Sequence, residues 1–155
     1  YPDCYVQTHL SENDAEITVD RAGNPMTDGG MSVTLRDLGR FGQMILQHGK
    51  VKHEQVVPAS WIDDTRHADA SAIEAFHRSE TAVRYPRGHY RSQWWIPDRE
   101  LNVLLGSGIH GQSLYVDFTH DVVVVKMSTL PVAFDVDIYA DQLRAYAAVA
   151  AVVSA

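Results

Sequence analysis

Apolar side chains change their spacing twice along this chain. From Thr34 onward, Leu35, Leu38, Gly42, Ile45 and Leu46 recur at intervals that share one helical face, with Arg36, Asp37, Arg40, Gln43 and Gln47 turned away from it. That spacing predicts an amphipathic helix. Ser32 or Thr34 can cap its start, and Gly49 can close its end in the left-handed conformation. A second, shorter helix is predicted near Pro58, carrying Trp61 and Ile62. Past Tyr90 the chain turns to β-branched and aromatic runs. Tyr90 to Ile96, Val103 to Gln112, Leu114 to Asp117 and Val122 to Met127 read as four antiparallel strands, the last pair joined by Phe118-Thr-His-Asp121 as a hairpin. After Pro131 the helical period returns from about Asp135, with Tyr139, Leu143, Tyr146, Ala150 and Val153 on one face, and this helix should lie on the sheet. Elsewhere Tyr1 to Leu10 reads as irregular, Glu16 to Asp20 as a short strand, and Arg21 to Gly30 as a turn-rich loop. Asp69 to Gly88 shows no clean period and reads as a loop with no more than a helical turn, of the kind that often borders a site. The expected architecture is α/β in the broad sense (α+β): an antiparallel sheet flanked by helices.

Composition narrows the function classes. With 155 residues, 45% hydrophobic and 21% charged, the chain is long enough to bury the core of one domain. Thirteen Lys and Arg against twenty Asp and Glu leave a net charge of −7, and no basic cluster interleaves with aromatics, so no nucleic-acid partner is expected. The single cysteine, Cys4, rules out an internal disulfide and a Cys-rich metal site, and favours a reducing, cytoplasmic setting. The apolar stretch from Ala145 to Ala155 is too short to span a bilayer, and no membrane partner is expected.

Most motifs for self-contained chemistry are absent. His53-Glu54 has Val57 where the second histidine of H-E-x-x-H would stand, and no Walker A sequence occurs. Gly111-Gln-Ser113-Leu-Tyr115 lacks the final glycine of a nucleophile elbow, which makes Ser113 a sheet hydroxyl. No serine is followed three residues later by lysine. Gly106-Ser-Gly-Ile-His-Gly111 does match G-x-G-x-x-G, but that dinucleotide fingerprint needs a helix directly after it, and Ser113 to Asp117 reads as a strand. The alternative is that the glycines let backbone or ligand approach a sheet edge and leave N–H groups free for a bound oxygen.

Three stretches carry a family resemblance. Asp28-Gly-Gly-Met-Ser-Val-Thr-Leu-Arg-Asp-Leu-Gly-Arg-Phe41 resembles the G-G-x-x-[ST]-[TA]-x-x-D-L-x-[RK]-F stretch of serine β-lactamase-like hydrolases. Within that superfamily, Ser92-Gln-Trp-Trp95 and Gly108-Ile-His-Gly-Gln112 resemble the 6-aminohexanoate-dimer (nylon-oligomer) hydrolases and their esterase relatives. The resemblance runs from about Ser11 to Val153. It implies a β-lactamase/transpeptidase-like fold and sets Gly106-Ser-Gly108 where penicillin-recognising relatives carry Lys-Thr-Gly.

By the same resemblance, the backbone N–H of Ile109 is one oxyanion donor. Gly108, His110 and Trp95 fall at the substrate site, with Asp28 and Phe134 at positions that border it; Trp94, on the opposite face of its strand, goes to the core. His110 has a structural reading beside this one, as a cross-strand hydrogen-bonding group. Phe134 replaces an acidic or phenolic side chain, which leaves an ester substrate as open as an amide. The nucleophilic serine, its lysine and the Tyr-x-[NS] tyrosine of the family lie upstream of the matched region. The resemblance therefore implies the C-terminal part of one hydrolase domain, inactive alone, whose partners are a small amide or ester and the N-terminal part of the fold or a second copy. No metal or organic cofactor is implied. A non-catalytic scaffold of the same fold and a dinucleotide-binding oxidoreductase stay open as rivals.

Overall fold

The computed structural model describes residues 4–6, 12–26 and 29–154. In chain order these form β1 (Cys4–Val6), β2 (Ala15–Ile17), β3 (Met31–Ser32), α1 (Leu35–Leu46), β4 (Lys50–Val51), β5 (Glu54–Gln55), α2 (Ala59–His67) and α3 (Ala70–His77). A 3-10 turn at Glu80–Arg84 leads into β6 (His89–Arg91), β7 (Trp94–Ile96) and β8 (Val103–Ser107), and a second at Ile109–Gly111 into β9 (Ser113–Asp117), β10 (Val122–Lys126) and α4 (Val136–Val153). Five strands pair antiparallel in the order β10-β9-β8-β7-β6, with smaller sheets β1-β2-β3 and β4-β5 beside them.

Side-chain alternation along the central strands divides the interior in two. Leu104, Leu114, Val116 and Trp94 face α1 and pack on Met44, Ile45 and Leu46. On the other face Val103, Leu105 and Tyr115 pack on Tyr146 of α4, with Trp95 partly buried beside them. The opposite placement of Trp94 and Trp95 is the one their adjacency in a strand predicts.

Helix α1 lies so close to the sheet that Gly42 carries the contact. A Cβ there would stand 2.5 Å from Val123 Cγ1 and 2.8 Å from Leu114 Cδ1, whereas one at Gly39 meets only Val125 Cγ2 at 3.9 Å. Both glycines cost the helix about 1 kcal/mol relative to alanine. Overpacking outweighs that gain only at Gly42, so Gly42→Val should destabilise the protein by about 2–3 kcal/mol while Gly39→Ala is neutral or stabilising. Urea midpoints check the pair; equal midpoints would mean that α1 stands further off the sheet.

Four expectations change. Leu35 is exposed, and Asp37, expected on the polar face, is buried. Thr34 caps α1 through the Asp37 N–H, and the Asp37 carboxylate accepts from the Thr34 hydroxyl at 2.7 Å, the Asn13 amide at 3.0 Å, the Glu12 N–H at 3.0 Å and Arg40. Those donors, Thr34 and Asn13 first, hold its pKa well below the ordinary carboxylate range, so the charge ties the segment before β2 to the helix. Cys4–Val6, within the stretch read as irregular, pairs with β2. Asp69 to Gly88 contains α3, capped by Asp69, whose carboxylate accepts from the Ala72 N–H at 2.8 Å; an eight-residue helix is too short to show its period.

The fourth change concerns strand lengths. Tyr90 to Ile96 is a hairpin, turned at Ser92 and Gln93, both with left-handed φ, without the Asn-Gly signal that marks such turns. Val103 to Gln112 is strand only as far as Ser107. His110 (φ 59°) and Gly111 (φ 80°) then fold the chain back, and β9 begins at once. No helix follows Gly111, so the pyrophosphate-binding geometry of a dinucleotide site is missing. Strand β10 forms one edge of the five-stranded sheet, pairing with β9 from Val122↔Asp117 to Lys126↔Ser113, and its other side carries no strand among the described residues. No helix among them is long and apolar enough to cross a membrane.

Candidate active site

The turn between β8 and β9 is held by bonds from nearly every residue in it. Gly108 donates its N–H to Gln112 O at 2.9 Å, His110 donates to Ala133 O at 2.8 Å, and Leu130 donates back to His110 O at 3.1 Å. Lys126 Nζ reaches Gly111 O at 2.9 Å. The N–H groups of Ile109, Gly111 and Gln112 enter none of these loop bonds among the described residues; of the three, Ile109 comes first in the turn, and its side chain is 65% exposed. The Ile109 N–H therefore stands unused at the start of a braced turn. His110 sits in the left-handed region that a β-carbon disfavours by about 1–2 kcal/mol, a departure held in place by its two backbone bonds and its ring.

The glycines differ in their reasons. Gly111 needs its identity for the fold, since φ is +80° and a Cβ would stand 2.6 Å from Leu130 Cδ1. Gly106 and Gly108 do not. A Cβ at Gly108, where φ is −103°, meets nothing closer than Gln112 Cβ at 3.4 Å, and one at Gly106 nothing closer than Leu114 Cβ at 3.6 Å. Absence of side chains there opens the strand edge to something outside the fold.

Gly108 borders two sizeable cavities, besides a void of about 10 Å³ against Gly111, Leu130 and Gln142. The larger, about 660 Å³, lies on the α1 face among Met31, Leu38, Phe41, Trp61 and Trp94. Its walls are mostly apolar, with Ser92, Gln93, Gln112 and Ser113 as the polar members, and Trp94 lines it although largely buried in the core. The smaller, about 220 Å³, lies on the opposite face and brings together Trp95, Gly108, Ile109 and Phe134 with Arg84, Tyr85, Ser107 and Ala133. Four of the residues singled out in the sequence thus meet in one cleft. His110 does not line it; the ring Nδ1 lies 2.8 Å from Leu130 O, which fixes the side chain on the loop after β10. Asp28 lies outside the described residues.

Trp95, Tyr85 and Phe134 of the cleft wall belong to a longer run of aromatic rings. Tyr90 packs on Trp95 at 4.4 Å between centroids, Trp95 on Tyr85 at 5.3 Å, Tyr85 on Tyr139 at 6.3 Å and Tyr139 on Phe134 at 5.3 Å. The hydroxyls of Tyr85 and Tyr139 are hydrogen-bonded to each other. Burial raises both phenol pKa values, so the pair stays protonated at neutral pH. Among the described residues no group of three His, Cys, Asp or Glu side chains is placed to hold a metal ion.

Over 121 residues the chain is 37% identical to the 6-aminohexanoate-dimer hydrolase of Paenarthrobacter ureafaciens, a match covering 78% of this chain and 30% of that enzyme. A Bacillus anthracis protein bearing the same name aligns in three dimensions with a TM-score of 0.75 and 27% identity, over 90% of this chain and 34% of its own. The chain is a relative of the 6-aminohexanoate-dimer hydrolases. Its fold is accordingly β-lactamase-like, and it spans about a third of the length of these relatives. No protein-family model matches the sequence.

Arg84, Tyr85 and Tyr139 escape the sequence reading, and Ser107 enters it only within the Gly106-Ser-Gly108 stretch. Arg84 and Tyr85 belong to the periodless stretch expected to border a site, and they do border the cleft. Tyr139 falls on the sheet-facing stripe of the last helix, and nothing in that stripe distinguishes a core phenol from one that backs the cleft wall through Tyr85 and Phe134.

Proposed function

We propose that this chain forms the oxyanion-side wall of the active site of a serine hydrolase that cleaves short amides of the 6-aminohexanoate-oligomer type or carboxylic esters. The observation that carries the reading is the unused N–H of Ile109, presented on a braced turn between two glycines, at the mouth of a cleft. In such a site the scissile carbonyl oxygen lies against that N–H. A serine hydroxyl supplied by residues outside these 155 attacks the carbonyl carbon, and the tetrahedral oxyanion is held by Ile109 N–H and by the N–H of that serine. Collapse expels the amine or alcohol, which leaves with the proton that the serine gave up to the lysine of its Ser-x-x-Lys segment. Water then releases the acid from the acyl-enzyme by the same route. Each oxyanion donor is worth about 3–4 kcal/mol when the site excludes water. Ser-x-x-Lys occurs nowhere in the sequence, which supports placing the nucleophile elsewhere and this chain in the C-terminal part of the domain. The open edge of β10 supports it too, as the place where further strands join the sheet.

Turnover assays test the reading. Alone, the chain should hydrolyse neither p-nitrophenyl acetate or butyrate nor 6-aminohexanoate dimer above a heat-denatured control; joined to a segment bearing Ser-x-x-Lys it should hydrolyse at least one of them. Saturable turnover by the chain alone, lost on one Ser→Ala change within it, contradicts the proposal. Ligand binding without turnover in the joined form would instead make the protein a non-catalytic member of the fold.

A further inference from the structure

One cation at the cleft has no partner among the described residues. Arg84 closes the 3-10 turn at Glu80–Arg84 and lies with its guanidinium carbon 4.1 Å from the centre of the Phe134 ring. Arg40, Arg66, Arg78, Arg87, Arg91 and Arg144 pair with carboxylates; Arg84, like Arg21, Arg36 and Arg99, makes no ion pair with a described residue, and of these four it alone lines the cleft. The neighbouring carboxylate, Asp135, is committed to the start of α4, where it accepts from Asp137 and Ile138 N–H at 3.0 Å each. Stacking on Phe134 occupies the flat face of the guanidinium and leaves its in-plane N–H groups available, the edge that grips a carboxylate with two parallel bonds. Its charge is also felt inside the cleft, where it opposes the effect of burial on the Tyr85 and Tyr139 phenols.

We propose that Arg84 is the specificity-determining residue of this cleft and selects ligands that present a carboxylate on an apolar chain. The aromatic wall from Trp95 to Phe134 takes the chain, and Arg84 at the rim takes the anion. This rests on the cleft being the substrate side of the hydrolase site, and it places the acid group of the substrate toward the β10–α4 loop and the scissile carbonyl toward Ile109. In a protein of net charge −7, a lone cation here also offers an anion a local point of attraction on an otherwise repelling surface.

Hexanoate and hexanamide are matched in shape and differ in charge, so titrating each into the chain and following the Trp95 indole and Ile109 amide signals by 1H–15N NMR tests the proposal. Hexanoate should bind about tenfold more tightly. Arg84→Gln should bring the ratio to about one, and Arg84→Lys should keep part of the preference, since it retains the charge and loses the fork. The same spectra report whether each variant is folded, and the comparison on the parent chain stands without either variant. Equal binding of the two ligands, an unchanged ratio in a folded Arg84→Gln variant, or no response to either ligand would overturn the assignment. Equal binding leaves the hydrolase reading intact, whereas failure of turnover with the nucleophile supplied sinks that reading and leaves the carboxylate preference standing.

Discussion

Ile109→Pro should lower kcat about 10²- to 10³-fold in the hydrolase assembled from this chain and a nucleophile-bearing segment, while Ile109→Ala changes it little. The substitution deletes the N–H and nothing else that the fold uses. Ile109 is the first residue of its 3-10 turn, where the fixed φ of proline fits, and Gly108 before it is extended (φ −103°, ψ 160°), as a residue preceding proline must be. The isoleucine side chain is mostly exposed, so its loss costs little packing. Steady-state kinetics on both variants decide: a proline variant as fast as the alanine variant would mean that Ile109 N–H touches no developing charge.

Raising the pH past about 10 should unfold the protein cooperatively. Tyr85, Tyr115, Tyr139 and Tyr146 all have phenol pKa values raised above the ordinary 10, by burial first in every case. Asp117 adds to the shift at Tyr115, and hydrogen bonds from Tyr85 and Ser107 to Tyr139 and from Ser113 to Tyr146 offset it only in part. A raised folded pKa means that stability is complete below the unfolded value and falls as pH climbs from there toward the folded one. Each phenol that ionises only on unfolding removes about 1.4 kcal/mol per pH unit above 10. Together the four remove several kcal/mol per unit, against a total of about 5–15 kcal/mol for a domain of this kind. Phenolate absorbance and near-UV circular dichroism should therefore change together between about pH 11 and 12. Phenolate signal from these four tyrosines near pH 10, with the dichroism intact, would show that they are not buried as described.

The sheet was legible because β8, β9 and β10 are runs of β-branched and large apolar residues that only a two-sided core accommodates. α1 and α4 were legible from their period and, for α1, from Thr34 as a possible cap; that Asp135 caps α4 emerged only in the structure. What escaped was short or conformational. α3 spans barely two turns, the Ser92-Gln93 hairpin adopts left-handed φ without glycine, and the burial of Asp37 depends on Asn13 and Glu12 reaching it from another segment. At the site, the glycine motif and the resemblance singled out Gly108, Ile109, Trp95 and Phe134, and the four line one cleft, although the turn that carries Ile109 fell inside a stretch read as strand. The aromatic chain through Tyr85 and Tyr139 and the stacking of Arg84 on Phe134 join residues about fifty apart, beyond the reach of any local pattern.

The most direct test of the oxyanion assignment is the amide signal of Ile109 when the assembled hydrolase is inactivated by an alkyl phosphonate, whose anionic oxygen stands where the tetrahedral intermediate carries its charge. Hydrogen bonding to that oxygen should move the Ile109 1H resonance strongly downfield, with His110 and Gly108, already bonded within the turn, moving far less. Mass spectrometry should find the phosphonyl group on the added segment and none on this chain. An Ile109 signal that stays in place while the enzyme is fully inactivated, or a label on one of these 155 residues, would contradict the account.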